Sequence, residues 1–348
     1  MTGLNAVEVT LEECAEGDIT AAGVLDGAGN QIVAAQTVVN PYILERMRGG
    51  GVRSLLVYDP PVRQRGRNYT VRRLLGNYRE SVILAKDMIH KLASGRKFDY
   101  TYVADISDII YSHVEESNVL QCIQDIRGND TYTYSHMVNT AFYSMLIAKW
   151  LGLGEREIKK ALQSGFLHDI GKSRIPGAIL NKRGPLTDSE FHVIQKHPVY
   201  GYFILQDSRY LEFDIKRAVL LHHERVNRSG YPFNIANDGI GLFARIVSVA
   251  DVYDAITTDR VYKNRQSPFS AFRMFLGEGH DQFDRLICQA FVSKMTANFI
   301  GSEVSLSNGQ QGTIVYISPA DLLSAVVQVG SSYYNVTRSG SVQITDVL

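Results

Sequence analysis

Seven side chains in the middle of this sequence carry donor atoms suited to divalent metals: His136, the pair His168-Asp169, His197, the pair His222-His223, and Asp251. Two adjacent histidines cost helix propensity and give little ordinary packing. Their recurrence about fifty residues after a His-Asp pair, with a third histidine between, points to coordination. Imidazoles mixed with one or two carboxylates suit Fe(II), Mn(II), Zn(II) or Ni(II) and argue against a calcium or magnesium cage. Seven ligands are too many for one ion with an open position, so two ions are the more economical reading. Asp169 can then offer one oxygen to each. Paired metals roughly 3.5–4 Å apart lower the pKa of bound water and clamp the attacking and leaving oxygens of a phosphoester. Lys172, one turn beyond the His-Asp pair, and Arg260 or Lys263 can neutralise a phosphate.

Each residue also has an ordinary reading. A lone histidine on a helix, such as His136 or His197, is commonly a surface or core residue. Asp251 sits in the apolar run Ile246-Val247-Ser248-Val249-Ala250, where an unpaired carboxylate is expensive, yet it could serve as an N-cap or as a partner of Arg245 or Arg260. His90, His113, His192 and His280 have no partner signal and read as solvated or structural. The metal argument rests on the combination and its order.

The elements that position these residues are helical. Val138, Phe142, Met145, Leu146 and Trp150 form one apolar stripe at helical spacing, and Glu155 to Leu167 makes a second helix closed by His168-Asp169. Thr187-Asp188-Ser189-Glu190 is a capping-box signature for a third helix, expected to run through His197 towards Leu205. Asp214 to Arg225 and Leu242 to Thr257 give a fourth and a fifth. The expected fold is α+β and multidomain, an all-α catalytic domain flanked by small β-rich modules. Residues 1–70 read as a β-rich N-terminal module, with short runs such as Val7-Glu8-Val9-Thr10 between glycines and one helix over Pro41 to Arg48. Residues 71–124 read as a helical connector, 125–300 as the catalytic domain, and 301–348 as a β-barrel-like module opened by a hairpin with an Asn308-Gly309 turn.

Composition narrows the classes. Lys plus Arg equals Asp plus Glu at 36 each, so no overall field favours duplex nucleic acid or an anionic membrane. Three separated cysteines, Cys14, Cys122 and Cys288, fit neither a disulfide framework nor a CxxC metal site and suit a reducing compartment. The first residues lack a signal-peptide pattern, and Ala141 to Leu153 is too short to span a bilayer, so a cytoplasmic location is expected.

The combined motifs resemble the HD-GYP subgroup of the HD-domain phosphohydrolases. The matching text runs Phe166-Leu167-His168-Asp169-Ile170-Gly171-Lys172, Lys196-His197-Pro198, His222-His223-Glu224-Arg225, Gly230-Tyr231-Pro232, Asp251-Val252-Tyr253-Asp254-Ala255 and Asp259-Arg260-Val261-Tyr262-Lys263, within about residues 125–300. The resemblance implies hydrolysis of a cyclic dinucleotide, usually cyclic di-GMP, to the linear form and often onward to GMP, by a hydroxide bridging the metals. Carried over residue by residue, the ligands are His136, His168, Asp169, His197, His222, His223 and Asp251, with Fe(II) or Mn(II) as the expected ions. Asp169 and Lys172 take the catalytic roles. Lys172, Arg225, Arg260 and Lys263 meet substrate, and Gly230-Tyr231-Pro232 borders its cleft. A diguanylate cyclase or other signalling protein as partner, and a homodimer through the connector, are expected by analogy alone.

Two positions depart from the family pattern. Trinuclear members carry a Glu one helical turn before the first ligand histidine; here it is Tyr132, a poor ligand at neutral pH, so a binuclear site is expected. Where the family has Asp-Gly before Ser-Gly-Tyr-Pro, this chain has Asn227-Arg228, which loses one negative charge and adds a cation. The competing readings are a phosphodiesterase for another nucleotide, such as cyclic GMP-AMP, and a sensor or scaffold that binds the dinucleotide without turnover.

Overall fold

The computed structural model of the chain describes residues 6–58, 65–114, 119–120, 123, 132–182, 184–259, 265–337 and 340–348. The first elements are β1 (Ala6–Thr10), β2 (Val24–Leu25), β3 (Gln31–Val33), α1 (Pro41–Gly49) and β4 (Ser54–Tyr58). Helices follow: α2 (Arg65–Ala93), α3 (Thr101–Tyr111), α4 (Tyr132–Trp150), α5 (Glu155–Leu167), α6 (Asp188–Ile194), α7 (His197–Leu205), α8 (Phe213–Leu221), α9 (Leu242–Thr257), α10 (Pro268–Arg273) and α11 (Arg285–Ala297). The chain ends with β5 (Glu303–Leu306), β6 (Gln311–Ile317), β7 (Ala325–Val329), β8 (Ser332–Val336) and β9 (Ile344–Val347). A mostly helical central region between small β structures is the expected fold class.

The elements fall into two compact units. One joins Met1–Thr70, Ser267–Arg273 and Val292–Leu348. Its strands make the pairs β1-β4 and β2-β3 and one five-stranded antiparallel sheet in the order β8-β7-β6-β5-β9. The expected hairpin is present, with Glu303 opposite Thr313 and Gly309 at φ 83°, a left-handed position that glycine takes without steric cost. Although the sequence reads as two separate end modules, Val33, Ile43, Met47 and Val57 share one core with Val315, Tyr316 and Val326. Asn40 ties the halves. Its Oδ1 caps α1 by accepting from the Ile43 amide at 2.9 Å, and its Nδ2 donates to the Val315 carbonyl at 2.7 Å.

The other unit comprises Val71–Gln266 and Met274–Phe291. Helix α4 lies at its centre: Met137, Val138, Ala141, Phe142, Tyr143 and Met145 are all buried, on more than one face, as expected of a helix enclosed by others. Among the described residues no helix is long and apolar enough to cross a membrane.

Two helix boundaries differ from the sequence reading. The capping box at Thr187 and Glu190 is formed, but its helix stops at Ile194, and His197 opens a new helix. Pro198 is the reason, because proline suits a first helical turn and breaks an interior. The helix expected over Asp214 to Arg225 starts at Phe213 and stops at Leu221 with His222 as its C-cap, leaving Glu224 and Arg225 in the following turn.

Candidate metal centre

Three of the histidines owe their positions to helix ends. A terminating α-helix leaves carbonyls without amide donors. His168 Nδ1 reaches back to the Gly165 carbonyl at 2.7 Å, His197 Nδ1 to that of Ile194 at 2.8 Å, and His222 Nδ1 to that of Val219 at 2.8 Å. Ile194 is instructive, since the residue four positions on is Pro198, which has no N–H to give. A carbonyl can only accept, so each Nδ1 carries the proton. In a neutral ring each Nε2 then presents a lone pair.

Those lone pairs converge. His197 Nε2 lies 3.3 Å from His222 Nε2, and His168 Nε2 lies 3.3 Å from His136 Nε2. Asp169 follows α5 at φ −98°, ψ 6°, and its two oxygens face different pairs. Oδ1 is 3.2 Å from His197 Nε2, whereas Oδ2 is 3.3 Å from His168 Nε2 and 3.7 Å from His136 Nε2. Gly171 permits this approach, because a Cβ there would stand 1.9 Å from the His197 carbonyl oxygen. From α9, Asp251 places Oδ1 3.1 Å from His136 Nε2 and Oδ2 3.9 Å from His223 Nδ1.

Two groups result, either of which could hold a metal ion: Asp169, His197, His222 and His223, and His136, His168 and Asp251. All seven candidate ligands of the sequence reading are thus brought together. Six are buried, none more than 7% exposed, with His223 partly open. Burial on this scale is costly unless the polar atoms are compensated. Yet Asp169 Oδ1 is buried without a hydrogen-bond partner. An orphaned carboxylate oxygen facing imidazole lone pairs fits a bound cation, and the set is consistent with a binuclear site.

The electrostatics agree. Burial and the neighbouring His168 and His197 hold His222 well below the ordinary imidazole range, and burial with His222 and His197 does the same for His223, so both are neutral, as ligands must be. Burial opposes ionisation of Asp169, but the Lys172 ammonium and the neighbouring His168 and His197 outweigh it and keep the carboxyl well below its usual range. His136 behaves differently. Burial disfavours its charged form, but hydrogen bonds to Asp251 and Asp254 raise it to about 9.

Around this centre, Lys172 Nζ lies 2.5 Å from Asp169 Oδ2 and remains partly exposed. The Tyr231 ring stacks on His223, centroids 4.6 Å apart and planes 28° from parallel. Burial and the charges of Asp251 and Asp169 keep its phenol protonated. Gly230 fits under this loop because a Cβ there would meet the His223 carbonyl oxygen at 2.3 Å, and Pro232 follows through a cis peptide bond. Arg225 Nη1 donates to the carbonyls of His222 and Glu224 at 3.3 and 3.1 Å, and the guanidinium lies 4.9 Å from the Phe283 ring centroid. Arg245 pairs with Asp284, so it is not the partner of Asp251. Arg260 and Lys263 lie outside the described residues, as does the side chain of Tyr132.

Two carboxylates assigned no role from the sequence are part of the construction. Glu224 is buried and accepts from three consecutive amides after the Tyr231-Pro232 step: Phe233 and Asn234 on Oε1 at 2.6 and 3.1 Å, and Ile235 on Oε2 at 3.2 Å. Asp254 accepts from Asn139 and contacts His136 Nδ1 at 2.7 Å. The available signal was a second acidic residue one turn along the apolar helix that carries Asp251.

The Asn227-Arg228 departure also acquires a shape. Asn227 Oδ1 accepts from the Ser229 amide at 3.0 Å, keeping the turn, while Arg228 sits at φ 67°, where an L side chain is strained and glycine is not. A separate cavity of about 440 Å³, lined by Tyr100, Arg156, Lys160, Tyr210 and Glu212, contains none of these residues. Its cations are already taken by carboxylates, Arg156 by Glu212 at 2.9 Å and Lys160 by Asp214 at 3.2 Å.

The sequence matches the HD domain family over residues 105–287, more than half of the chain. This chain belongs to the HD-domain family. A cyclic di-GMP phosphodiesterase of Pseudomonas aeruginosa is 35% identical over 243 residues, covering 70% of this chain and 58% of the relative. A 3'3'-cGAMP-specific phosphodiesterase of Vibrio cholerae is 38% identical over 140 residues, 40% of this chain and 27% of the relative. The chain therefore spans little more than half, or less, of the curated relatives it matches. Among solved structures, an HDG"Y"P protein from Bdellovibrio bacteriovorus superposes with a TM-score of 0.51 at 15% identity, covering 82% of this chain and 98% of that one, a likeness of fold. The HD domain is thus related to cyclic di-GMP phosphodiesterases, in keeping with the HD-GYP resemblance read from the motifs.

Proposed function

We propose that this HD domain hydrolyses a phosphodiester bond of a cyclic dinucleotide, cyclic di-GMP first, at a centre of two divalent ions, Fe(II) or Mn(II). The observation that carries the reading is Asp169: its oxygens face two different histidine pairs, the placement a carboxylate shared by two ions requires. The seven ligands would be His136, His168, Asp169, His197, His222, His223 and Asp251. When bound, two such ions lower the pKa of a water and neutralise phosphodiester charge. The chain's own residues supply the rest. Lys172 is a partly exposed cation beside the buried carboxylate, suited to a phosphate oxygen. Tyr231, protonated and stacked on His223, walls the centre and offers a hydroxyl donor. Arg225 braces the backbone around the histidine pair, and Arg260 and Lys263 are further candidates for phosphate contacts.

The test is hydrolysis by anaerobically purified protein supplied with Fe(II) or Mn(II), offered cyclic di-GMP, cyclic GMP-AMP and dNTPs with product identification. Linear dinucleotide or GMP from cyclic di-GMP is the expected result. Turnover of cyclic GMP-AMP alone would reassign the substrate, and hydrolysis of dNTPs alone would sink the proposal. Two ions bound without any turnover would favour a sensor.

A further inference from the structure

A line of four buried side chains, contributed by three helices, ends at the metal centre. Tyr78 on α2 contacts Asn139 on α4 through its hydroxyl, 2.9 Å from Oδ1. Asn139 Nδ2 lies 2.9 Å from Asp254 Oδ1 on α9, and Asp254 Oδ2 lies 2.7 Å from His136 Nδ1, back on α4. All four are at most 5% exposed, so water does not substitute for a missing partner.

The direction of every bond follows from one group. A carboxylate only accepts, so the Asn139 atom facing it must be the amide nitrogen. The Asn139 oxygen is then turned to Tyr78, which must donate. By the same rule His136 Nδ1 carries a proton, and its Nε2 is left to face Asp169, Asp251 and His168. His168, His197 and His222 have the equivalent proton fixed by a helix carbonyl. His136 differs from these three in using a side chain, and an anionic one, which makes the imidazole a stronger donor to a metal.

We propose that Asp254 is a positioning residue for His136, and that Tyr78, through Asn139, sets its orientation from helix α2. The inference rests on the reading of His136 as a metal ligand. Breaking the line at either end should weaken one ion site and leave the other, since His197, His222 and His223 take no part in it.

The experiment uses the full chain, stripped of metal and titrated with Mn(II), then reloaded with Co(II) for its visible absorption spectrum. Wild type is expected to bind two ions. Asp254→Asn should lose about 10- to 100-fold in affinity at one site. Tyr78→Phe, which contacts no candidate ligand through its hydroxyl, should weaken the same site by a smaller factor with an unchanged helical circular dichroism spectrum. Both variants should alter the Co(II) spectrum, which a purely structural role would leave as it is. Two-ion binding and a Co(II) spectrum identical to wild type in both variants would overturn the proposal, and if Asp254→Asn does not fold, Tyr78→Phe alone decides. A wild type that binds neither ion would instead remove the metal reading itself.

Discussion

Asp169 and His197 meet as two acceptors. Oδ1 of the carboxylate lies 3.2 Å from an Nε2 whose ring has already spent its proton on the Ile194 carbonyl. Such a contact is unfavourable until a cation enters it, and the folded chain holds it in place through the close approach at Gly171. Adding Mn(II) to stripped protein is therefore expected to raise the melting temperature with metal concentration, by the equivalent of about 2.7 kcal/mol at one hundred times the dissociation constant. His168→Ala or Asp169→Ala should abolish metal retention and turnover together. Calorimetric scans with and without metal, paired with metal analysis, check this; persistent turnover in either variant would show the site to be wrongly assigned.

Gly230→Ala should separate substrate binding from metal binding. The added methyl meets the His223 carbonyl oxygen at 2.3 Å and the Arg225 amide nitrogen at 2.5 Å, so the loop must lift from the histidine pair. Overpacking of this kind costs about 1–3 kcal/mol. KM is expected to rise at least several-fold while metal content stays at two ions per chain, measured on the same preparation.

Glu224→Gln should loosen the segment after Pro232. The carboxylate accepts three backbone N–H groups, and an amide replaces part of that acceptor with a competing donor. A loss of about 1–3 kcal/mol is expected, with faster hydrogen exchange at Phe233, Asn234 and Ile235. Unchanged protection at these amides would refute the role given to Glu224.

Arg228→Gly should stabilise the chain by about 1 kcal/mol in urea denaturation, since φ 67° strains an arginine and suits glycine. A concurrent rise in KM would place the Arg228 cation on the substrate.

The capping box gives an acid-side prediction. Glu190 is held at about 2, below its usual 4.5, first by Lys182 and then by the Thr187 amide. A lowered folded pKa means the stabilisation is complete above the unfolded value and fades as pH falls from about 4.5 towards 2. Thr187→Ala should cost about 1 kcal/mol at neutral pH and keep most of that acid dependence, since Lys182 and the backbone amide remain, whereas Lys182→Met should flatten it, read from melts across pH 2 to 7.

The candidate ligand set was legible because histidine pairs and a His-Asp pair are rare in ordinary helices, and their order alone proposed a shared centre. What the sequence could not show was how each ring is aimed. That His168, His197 and His222 satisfy orphaned helix carbonyls depends on where helices stop, and Pro198 was a stop signal outweighed by the apolar pattern around it. Asp254 and Glu224 were visible as letters, but their roles arise from partners 118 and 9–11 residues away along the chain. The common core of the two β-rich ends had no local signal at all, as the Asn40-Val315 contact spans 275 residues.

That contact carries a consequence for biogenesis. The β-rich unit is assembled from three separated stretches, the last beginning at Val292, whereas the helical unit is complete by Phe291. During synthesis the helical unit has all of its chain outside the ribosome first and closes shorter loops, so it should fold first, while Val33, Ile43 and Met47 wait for Val315 and Val326 to emerge. The apolar faces of Val33, Ile43 and Met47 then stay uncovered until the last strands emerge, a period in which a chaperone is most needed.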